Sequence, residues 1–135
     1  MWHYFPNQYM PSYQVNRALT QAHYGGGEFA EILEAASEIT PGDNESFHNA
    51  WAKIGNTIFE EGENASKNDN PATARRAYLR AFNYLRTCEF FLKPKDERKL
   101  PAYLKAIEAF HKAIALFDHK PKQVEIPFED SFMPG

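Results

Sequence analysis

The sequence contains little of what would assign it to a secreted, membrane or nucleic-acid-binding class. Its one cysteine, Cys88, cannot form an internal disulfide, which predicts a reduced, cytoplasmic compartment. No apolar run approaches the length of a bilayer span, and the first residues lack the basic and apolar regions of a signal peptide. The 15 Lys and Arg residues are dispersed and the formal net charge is −3, so no basic face indicates a nucleic acid partner.

Recognisable catalytic motifs are also lacking. The stretch from His23 to Gly27 is similar to an oxyanion loop or a phosphate loop, but both kinds of loop follow a strand, and none is indicated before His23. The nucleophile elbow G-x-S-x-G occurs nowhere in the sequence. We therefore interpret Gly25 to Gly27 as a hinge that lets the backbone turn sharply into the next helix.

Metal and thiol chemistry are not indicated either. The five histidines show no metal-ligand spacing. Cys88 falls on the apolar side of a predicted helix without an evident activating base, which is typical of a small buried side chain rather than a nucleophile. The sequence thus predicts no metal site, no cofactor and no catalytic residue among its 135 residues.

Aromatic side chains, in contrast, are abundant. The chain is 43% hydrophobic and 24% charged, which is typical of a globular protein, and 135 residues suit one domain. It holds 11 Phe, 7 Tyr and 2 Trp, more than a helical domain of this size needs to fill its own core. We expect some of these rings to face a partner or a ligand.

Hydrophobic periodicity predicts an all-α fold with about four main helices and a short N-terminal helix. After an extended arm over residues 1–12, the predicted helices span residues 13–21, 28–39 and 44–67. The next runs from Pro71 to a stop at Lys93, and the last follows Asp96, carries Pro101 in its first turn and ends at Asp118. Asp43 or Asn44 caps the third of these helices, and Asn70 caps the fourth.

Two helix faces are predicted to pack. Small residues on the fourth predicted helix allow another helix to approach closely, at Ala74, Ala77 and Ala81. The last helix carries an apolar seam of larger side chains at Leu104, Ile107, Phe110, Ile114 and Phe117.

The C-terminal residues predict the start of a β-hairpin. Val124 to Phe128 is a predicted strand, residues 129–131 a turn, and Phe132 opens a second strand. Because an isolated hairpin is marginal in water, we expect this segment to be the front part of a longer protein. The predicted organisation is an arm with a short helix over residues 1–25, a helical domain over 26–120 and the first strands of a further domain over 121–135.

Three stretches resemble a known family. They are YFPNQYMPSYQVNRALTQAHYGGGEFAEI, ARRAYLRAFNYLRTCEFFL and LKAIEAFHKAIALFDHKPKQVEIPFEDSFMPG. Together they are similar to the N-terminal helical region of α/β-hydrolases that include 2,6-dihydroxypseudooxynicotine hydrolase, the fermentation–respiration-switch-like esterases and several fungal biosynthetic hydrolases. The resemblance covers nearly the whole chain. Its most specific part is the order of aromatic arm, glycine break, helices, V-x-I-P-[FY] strand and PG turn.

The resemblance implies a role for these residues. In such proteins the helices form a lid over the active site, and the strands that follow begin the α/β-hydrolase sheet. The nucleophilic Ser, an acidic residue and a His would all come after this segment, so none of them is carried onto a position of this chain. The glycine break corresponds to the lid glycines of the family and not to its oxyanion loop.

The resemblance also indicates substrate-pocket candidates. Asn16 lies in the pattern N-x-A-L, and Asn83, Tyr84 and Arg86 lie in the pattern NY-x-R. Tyr9 is the candidate from the aromatic arm. Each of these side chains either faces substrate or braces the lid, and the sequence leaves both roles open.

Two functions follow as hypotheses. In the first, the chain is the lid and substrate-recognition segment of a serine α/β-hydrolase that cleaves an ester bond or a C–C bond next to a ketone in a small molecule. Its partners would be a catalytic domain in the same or a second chain, the small-molecule substrate and a second copy in a homodimer. In the alternative, the chain is a free-standing helical module for protein interaction or dimerisation without catalysis.

Overall fold

A computed structural model of the chain describes residues 2–119 and 121–134. Within them, five α-helices precede one two-stranded hairpin, which confirms the predicted fold class. The helices are α1 (Tyr9–Gln21), α2 (Phe29–Ser37), α3 (Asn44–Lys67), α4 (Pro71–Cys88) and α5 (Lys99–Ala115). A 3₁₀ turn (Ala22–Tyr24) follows α1, and the strands are β1 (Glu125–Phe128) and β2 (Ser131–Pro134).

Local capping determines where α3 and α4 begin. The Asp43 carboxylate accepts a hydrogen bond from the Glu45 amide at 2.9 Å. The Asn70 side chain accepts one from the Thr73 amide at 3.2 Å, with Pro71 as the first residue of α4. Both starts agree with the sequence prediction because each depends only on neighbouring residues.

The start of α1 and the end of α4 differ most from the prediction. Helix α1 begins at Tyr9 instead of Tyr13, because Pro11 lies in its first turn, where a missing N–H costs no helical hydrogen bond. Helix α4 ends at Cys88 instead of Lys93. Beyond it the chain turns so that Phe91 packs edge-on against Phe47 of α3, with ring centroids 4.7 Å apart. That long-range contact ends the helix early.

The core lies where α3 packs against α4, and α1 and α2 complete it. Trp51 and Tyr84 are both fully buried, with their rings 5.8 Å apart. Glycines let the two helices approach closely, since a Cβ added at Gly62 would lie 2.7 Å from the Tyr78 ring. Other large side chains of the core include Val15, Ile32, Phe47, Ile58 and Phe59.

Helix α5 packs with its small side chains inward. Its fully buried residues are Ala106, Ala109 and Ala113. Within the seam predicted to pack, Leu104 and Phe110 are instead exposed, and its other members are only partly buried. Alanines permit a closer helix approach than leucine or phenylalanine, so the tighter packing decides which face turns inward.

The hairpin stands outside the helical core. Its antiparallel register pairs Glu125 with Pro134 and Phe128 with Ser131. The apolar side chains around it are all exposed, namely Val124, Ile126, Phe128, Phe132 and Met133. None of the described helices combines the length and the apolar character needed to cross a membrane.

Candidate functional site

The glycine break is held in place by α4. Gly25 has φ of 79°, a left-handed conformation that favours glycine. The Asn83 amide nitrogen donates to the Gly26 carbonyl at 2.8 Å, and the Glu28 amide donates to the Tyr84 hydroxyl at 2.8 Å. Consecutive residues of α4 therefore fix the turn that leads into α2.

Tyr84 belongs to a buried polar network. Its hydroxyl donates to the Glu31 carboxylate at 2.7 Å, and Arg80 Nε donates to the same carboxylate oxygen at 3.0 Å. Burial raises the pKa of Tyr84 well above its ordinary value, and the Glu31 carboxylate raises it further. The phenol stays protonated and braces α2 against α4.

Asn16 has a similar structural contact. Its side-chain nitrogen donates to the Trp2 carbonyl at 2.6 Å and to the Ser12 carbonyl at 2.8 Å. These bonds attach the N-terminal arm to α1. Asn16, Asn83 and Tyr84 thus make the contacts expected of bracing residues, and their contact with substrate stays a prediction.

Tyr9 lies on an exposed stripe of α1. It is the first residue of the helix, it is 60% exposed, and its ring stacks on Tyr13 with centroids 6.2 Å apart. Tyr9, Tyr13, Arg17 and Gln21 follow one another at four-residue intervals and so share one side of α1. This stripe leads from the aromatic arm to a cavity.

We call this cavity between α1, α4 and α5 the arginine cavity. It has a volume of about 350 Å³ and is lined on its polar side by Arg17, Gln21, Asn83 and Arg86. Among the residues that the structure describes, no acidic side chain lines it. Its apolar wall consists of Leu79, Phe82 and Phe110. The arrangement suits a ligand with an apolar body and a negatively charged or polar end.

Arg86 lies at the junction of the arginine cavity and a second cavity of about 390 Å³. Its guanidinium carbon is 5.3 Å from the centre of the Tyr103 ring, and Nη1 donates to the Glu89 carboxylate. Lys99 also pairs with Glu89, with Nζ 2.5 Å from Oε2. Arg86 is therefore the predicted site residue that lines both cavities.

The sequence prediction missed Arg17. Its Nε donates to Gln14 Oε1 at 2.8 Å, and Nη2 donates to Thr87 Oγ1 at 2.8 Å. The only local sign that Arg17 belongs to the site was its spacing of four residues from Tyr13, which places both on one side of α1. That Arg17 and Arg86 line the same cavity could not be predicted from spacing, because Arg86 lies on another helix.

Cys88 is not among the described residues that line the two cavities. Cys88 is fully buried, and burial together with the neighbouring Glu89 raises the pKa of its thiol to about 12. In the part of the chain that the structure describes, no group of three His, Cys, Asp or Glu side chains could hold a metal ion.

Comparisons with known proteins relate the chain to hydrolases. No family model matches it. It is similar to the alpha/beta hydrolase psoB of Aspergillus fumigatus, with 37% identity over 91% of this chain and 29% of that protein. It is equally similar to hydrolase ORFZ of Pyricularia oryzae, with 37% identity over 96% of the chain and 31% of the relative. The alpha/beta hydrolase xenA of Xenoacremonium sinensis is 33% identical over 97% of the chain and 31% of its own length.

The three matches cover similar shares of this chain and of the relatives. The chain aligns over nearly all of its length, yet it spans only about 30% of the curated relatives. The chain is therefore similar to one segment of proteins named α/β-hydrolases, and about two thirds of each relative has no counterpart in it.

Proposed function

We propose that this chain is the lid and substrate-recognition segment of a serine α/β-hydrolase that cleaves an ester bond or a C–C bond next to a ketone in a small molecule. The observation that carries the proposal is the extent of the match: 96% of the chain aligns with 31% of a relative named a hydrolase. The catalytic groups come from a domain in the same or a second polypeptide.

The geometry supports a role in recognition. The exposed ring of Phe110 lines the arginine cavity, and that of Tyr103 lines the neighbouring cavity. The exposed rings of Tyr9 and Tyr13 lie on the same side of α1 as Arg17. An apolar wall of this kind excludes water from a reacting centre, which strengthens the interactions that stabilise a developing oxyanion. The exposed hairpin, with its apolar side chains, is suited to pair and pack within a larger sheet.

A chimera tests this proposal. The segment of the Aspergillus fumigatus relative that aligns with this chain is replaced by this chain, and the product is treated with a serine-reactive fluorophosphonate and assayed with nitrophenyl esters. We expect labelling and ester hydrolysis by the chimera, with a substrate preference that differs from that of the relative. The isolated 135-residue chain should be neither labelled nor active.

The controls separate folding from function. The unaltered relative and its catalytic part without any lid are assayed in parallel. A folded chimera that is labelled but retains the relative's substrate preference would contradict the proposal that this chain recognises the substrate. Labelling of the isolated chain would contradict the assignment of the nucleophile to another domain.

A second function has its own support. The outward face of α5 exposes Leu100, Tyr103 and Leu104, with 63%, 41% and 55% of each residue accessible. Such a face is also expected of an interaction module or a homodimer. Sedimentation equilibrium of the isolated chain tests the dimer, which Leu104→Lys should dissociate. Because the lid hypothesis also includes a homodimer, a stable dimer together with a folded but inactive chimera is the result that favours the interaction module. A cytoplasmic location stays a prediction.

A further inference from the structure

We propose that the arginine cavity binds the carboxylate of a small apolar molecule, with Arg17 as the principal cation. As a statement about the substrate, this inference rests on the proposed recognition role. As a statement about a binding site, it rests on the cavity alone and is measurable in the isolated chain.

Arg17 is held rigidly without being neutralised. Its two hydrogen-bond acceptors are the amide oxygen of Gln14 and the hydroxyl of Thr87, and both of these residues are fully buried. The Thr87 hydroxyl donates its own proton to the Asn83 carbonyl at 2.7 Å, so its lone pairs remain directed to Arg17. Buried neutral groups thus fix the guanidinium in place without cancelling its charge.

The charge of Arg17 is uncompensated within the cavity. No carboxylate of the described residues lies within 4.0 Å of it, whereas Arg86 is paired with Glu89. Burial lowers the pKa of Arg17, and the nearby positive charge of Arg86 lowers it further. Two cations that repel each other across a half-buried space are stabilised together by an anion placed between them.

One nitrogen of the guanidinium remains available. Nη1 of Arg17 makes no hydrogen bond with the described residues. A hydrogen bond from a guanidinium N–H to a carboxylate is charge-assisted and stronger than a hydrogen bond between neutral groups. The Gln21 amide and the Tyr24 hydroxyl lie on the same cavity and offer further donors.

The apolar wall defines the rest of the ligand. Phe82 and Phe110 form a tilted ring pair with centroids 5.1 Å apart, and Leu79 lies beside them. A hydrated inorganic anion would leave this wall exposed to water, whereas an aryl or alkyl acid would cover it. We therefore assign the site to a monocarboxylic acid with an apolar body that fits about 350 Å³.

Titration of the isolated chain followed by amide NMR tests the site. The probes are hydrocinnamate, its neutral analogue hydrocinnamamide and phenylphosphonate, which has a different anionic group. We expect hydrocinnamate to shift the amides of Arg17, Gln21, Asn83 and Phe110, and to bind about tenfold or more tightly than the amide. Phenylphosphonate that binds more tightly than hydrocinnamate would overturn the assignment to a carboxylate.

Variants show whether Arg17 supplies the charge. Arg17→Gln should weaken hydrocinnamate binding about tenfold or more, and Arg17→Lys should restore part of it. The matched control is Arg76→Gln on the exposed side of α4, which should change binding by less than about twofold. If Arg17→Gln does not fold, the acid and amide comparison on the unaltered chain decides the question.

The outcomes also separate this inference from the proposed function. Shifts spread over the whole surface, or equal affinity for acid and amide, would overturn the site even if the chimera hydrolyses esters. Localised acid binding with an inactive, folded chimera would uphold the site and refute its use in hydrolysis.

Discussion

Replacing Tyr84 by Phe distinguishes the two roles that the sequence leaves open for this residue. The substitution keeps the buried ring against Trp51 and removes only the hydroxyl. The Glu28 amide then loses its acceptor at the start of α2, and Glu31 loses one of its two donors while Arg80 remains. If Tyr84 braces the hinge, the loss appears in the free energy of unfolding.

The magnitude follows from the bonds that are lost. A partly buried N–H left without a partner costs roughly 1–3 kcal/mol, and the bond to a charged carboxylate adds about 1 kcal/mol net after Arg80 compensates. We expect a loss of about 2–4 kcal/mol, which corresponds to a fall in Tm of roughly 7–14 °C for a domain of this size. Urea unfolding followed by far-ultraviolet circular dichroism measures it.

Tyr103→Phe is the matched control. The Tyr103 ring is 41% exposed, and its hydroxyl makes no hydrogen bond with the described residues, so the free energy of unfolding should change by less than about 0.5 kcal/mol. A Tyr84→Phe protein as stable as the unaltered chain would refute the bracing role.

In the chimera, Tyr9→Ala should change KM or substrate selectivity without changing stability, because Tyr9 is 60% exposed.

Three further predictions concern packing, reactivity and pH. Gly62→Ala should destabilise the fold by about 1 kcal/mol, because its contact at 2.7 Å with Tyr78 outweighs the helix propensity of Ala. Cys88 should react with a disulfide reagent only after unfolding, since its thiol is buried and its pKa is raised to about 12. The hydrogen bond from Lys112, and to a smaller extent that from Tyr78, lowers the pKa of Glu63 in the folded protein. This carboxylate therefore stabilises the fold above its unfolded pKa of about 4.3, and that stabilisation is lost as the pH falls through the folded pKa.

Each of these predictions has a control. Gly62→Ala should stabilise a Tyr78→Ala background by about 1 kcal/mol, and stabilisation of the unaltered background would contradict the packing argument. Native Cys88 labelled as fast as the unfolded chain would show that the thiol is accessible. Glu63→Gln should flatten the acid dependence of unfolding, whereas Glu60→Gln, an exposed residue on the same helix, should leave it unchanged.

Several features of the fold were predictable because they are local. The starts of α3 and α4 follow from Asp43, Asn70 and Pro71, whose caps act on amides two or three residues away. The glycine break and the hairpin were predictable for the same reason, since turn residues interrupt the periodic pattern on both sides. The absence of a nucleophile elbow was likewise a property of the sequence alone.

The candidate site was predictable only in part. Arg86 was identified from the NY-x-R pattern, and the structure adds that it opens onto two cavities. Arg17 was missed because its significance depends on Thr87, 70 residues away along the chain. Nothing in the immediate neighbourhood of Arg17 indicates that contact.

Helix α5 shows most clearly what the amino-acid sequence determines and what tertiary structure decides. Its sequence determines two faces, one of alanines and one of large apolar side chains, and either could have packed inward. The alanine face packs inward, because small side chains let α5 come close to the rest of the bundle; its buried residues are Ala106, Ala109 and Ala113. Leu104 and Phe110 were thereby left on the surface. Local patterns thus set the helices and the starts of α3 and α4. The end of α4 and the choice of the exposed face of α5, and with it the arginine cavity, depended on contacts between residues far apart in the chain.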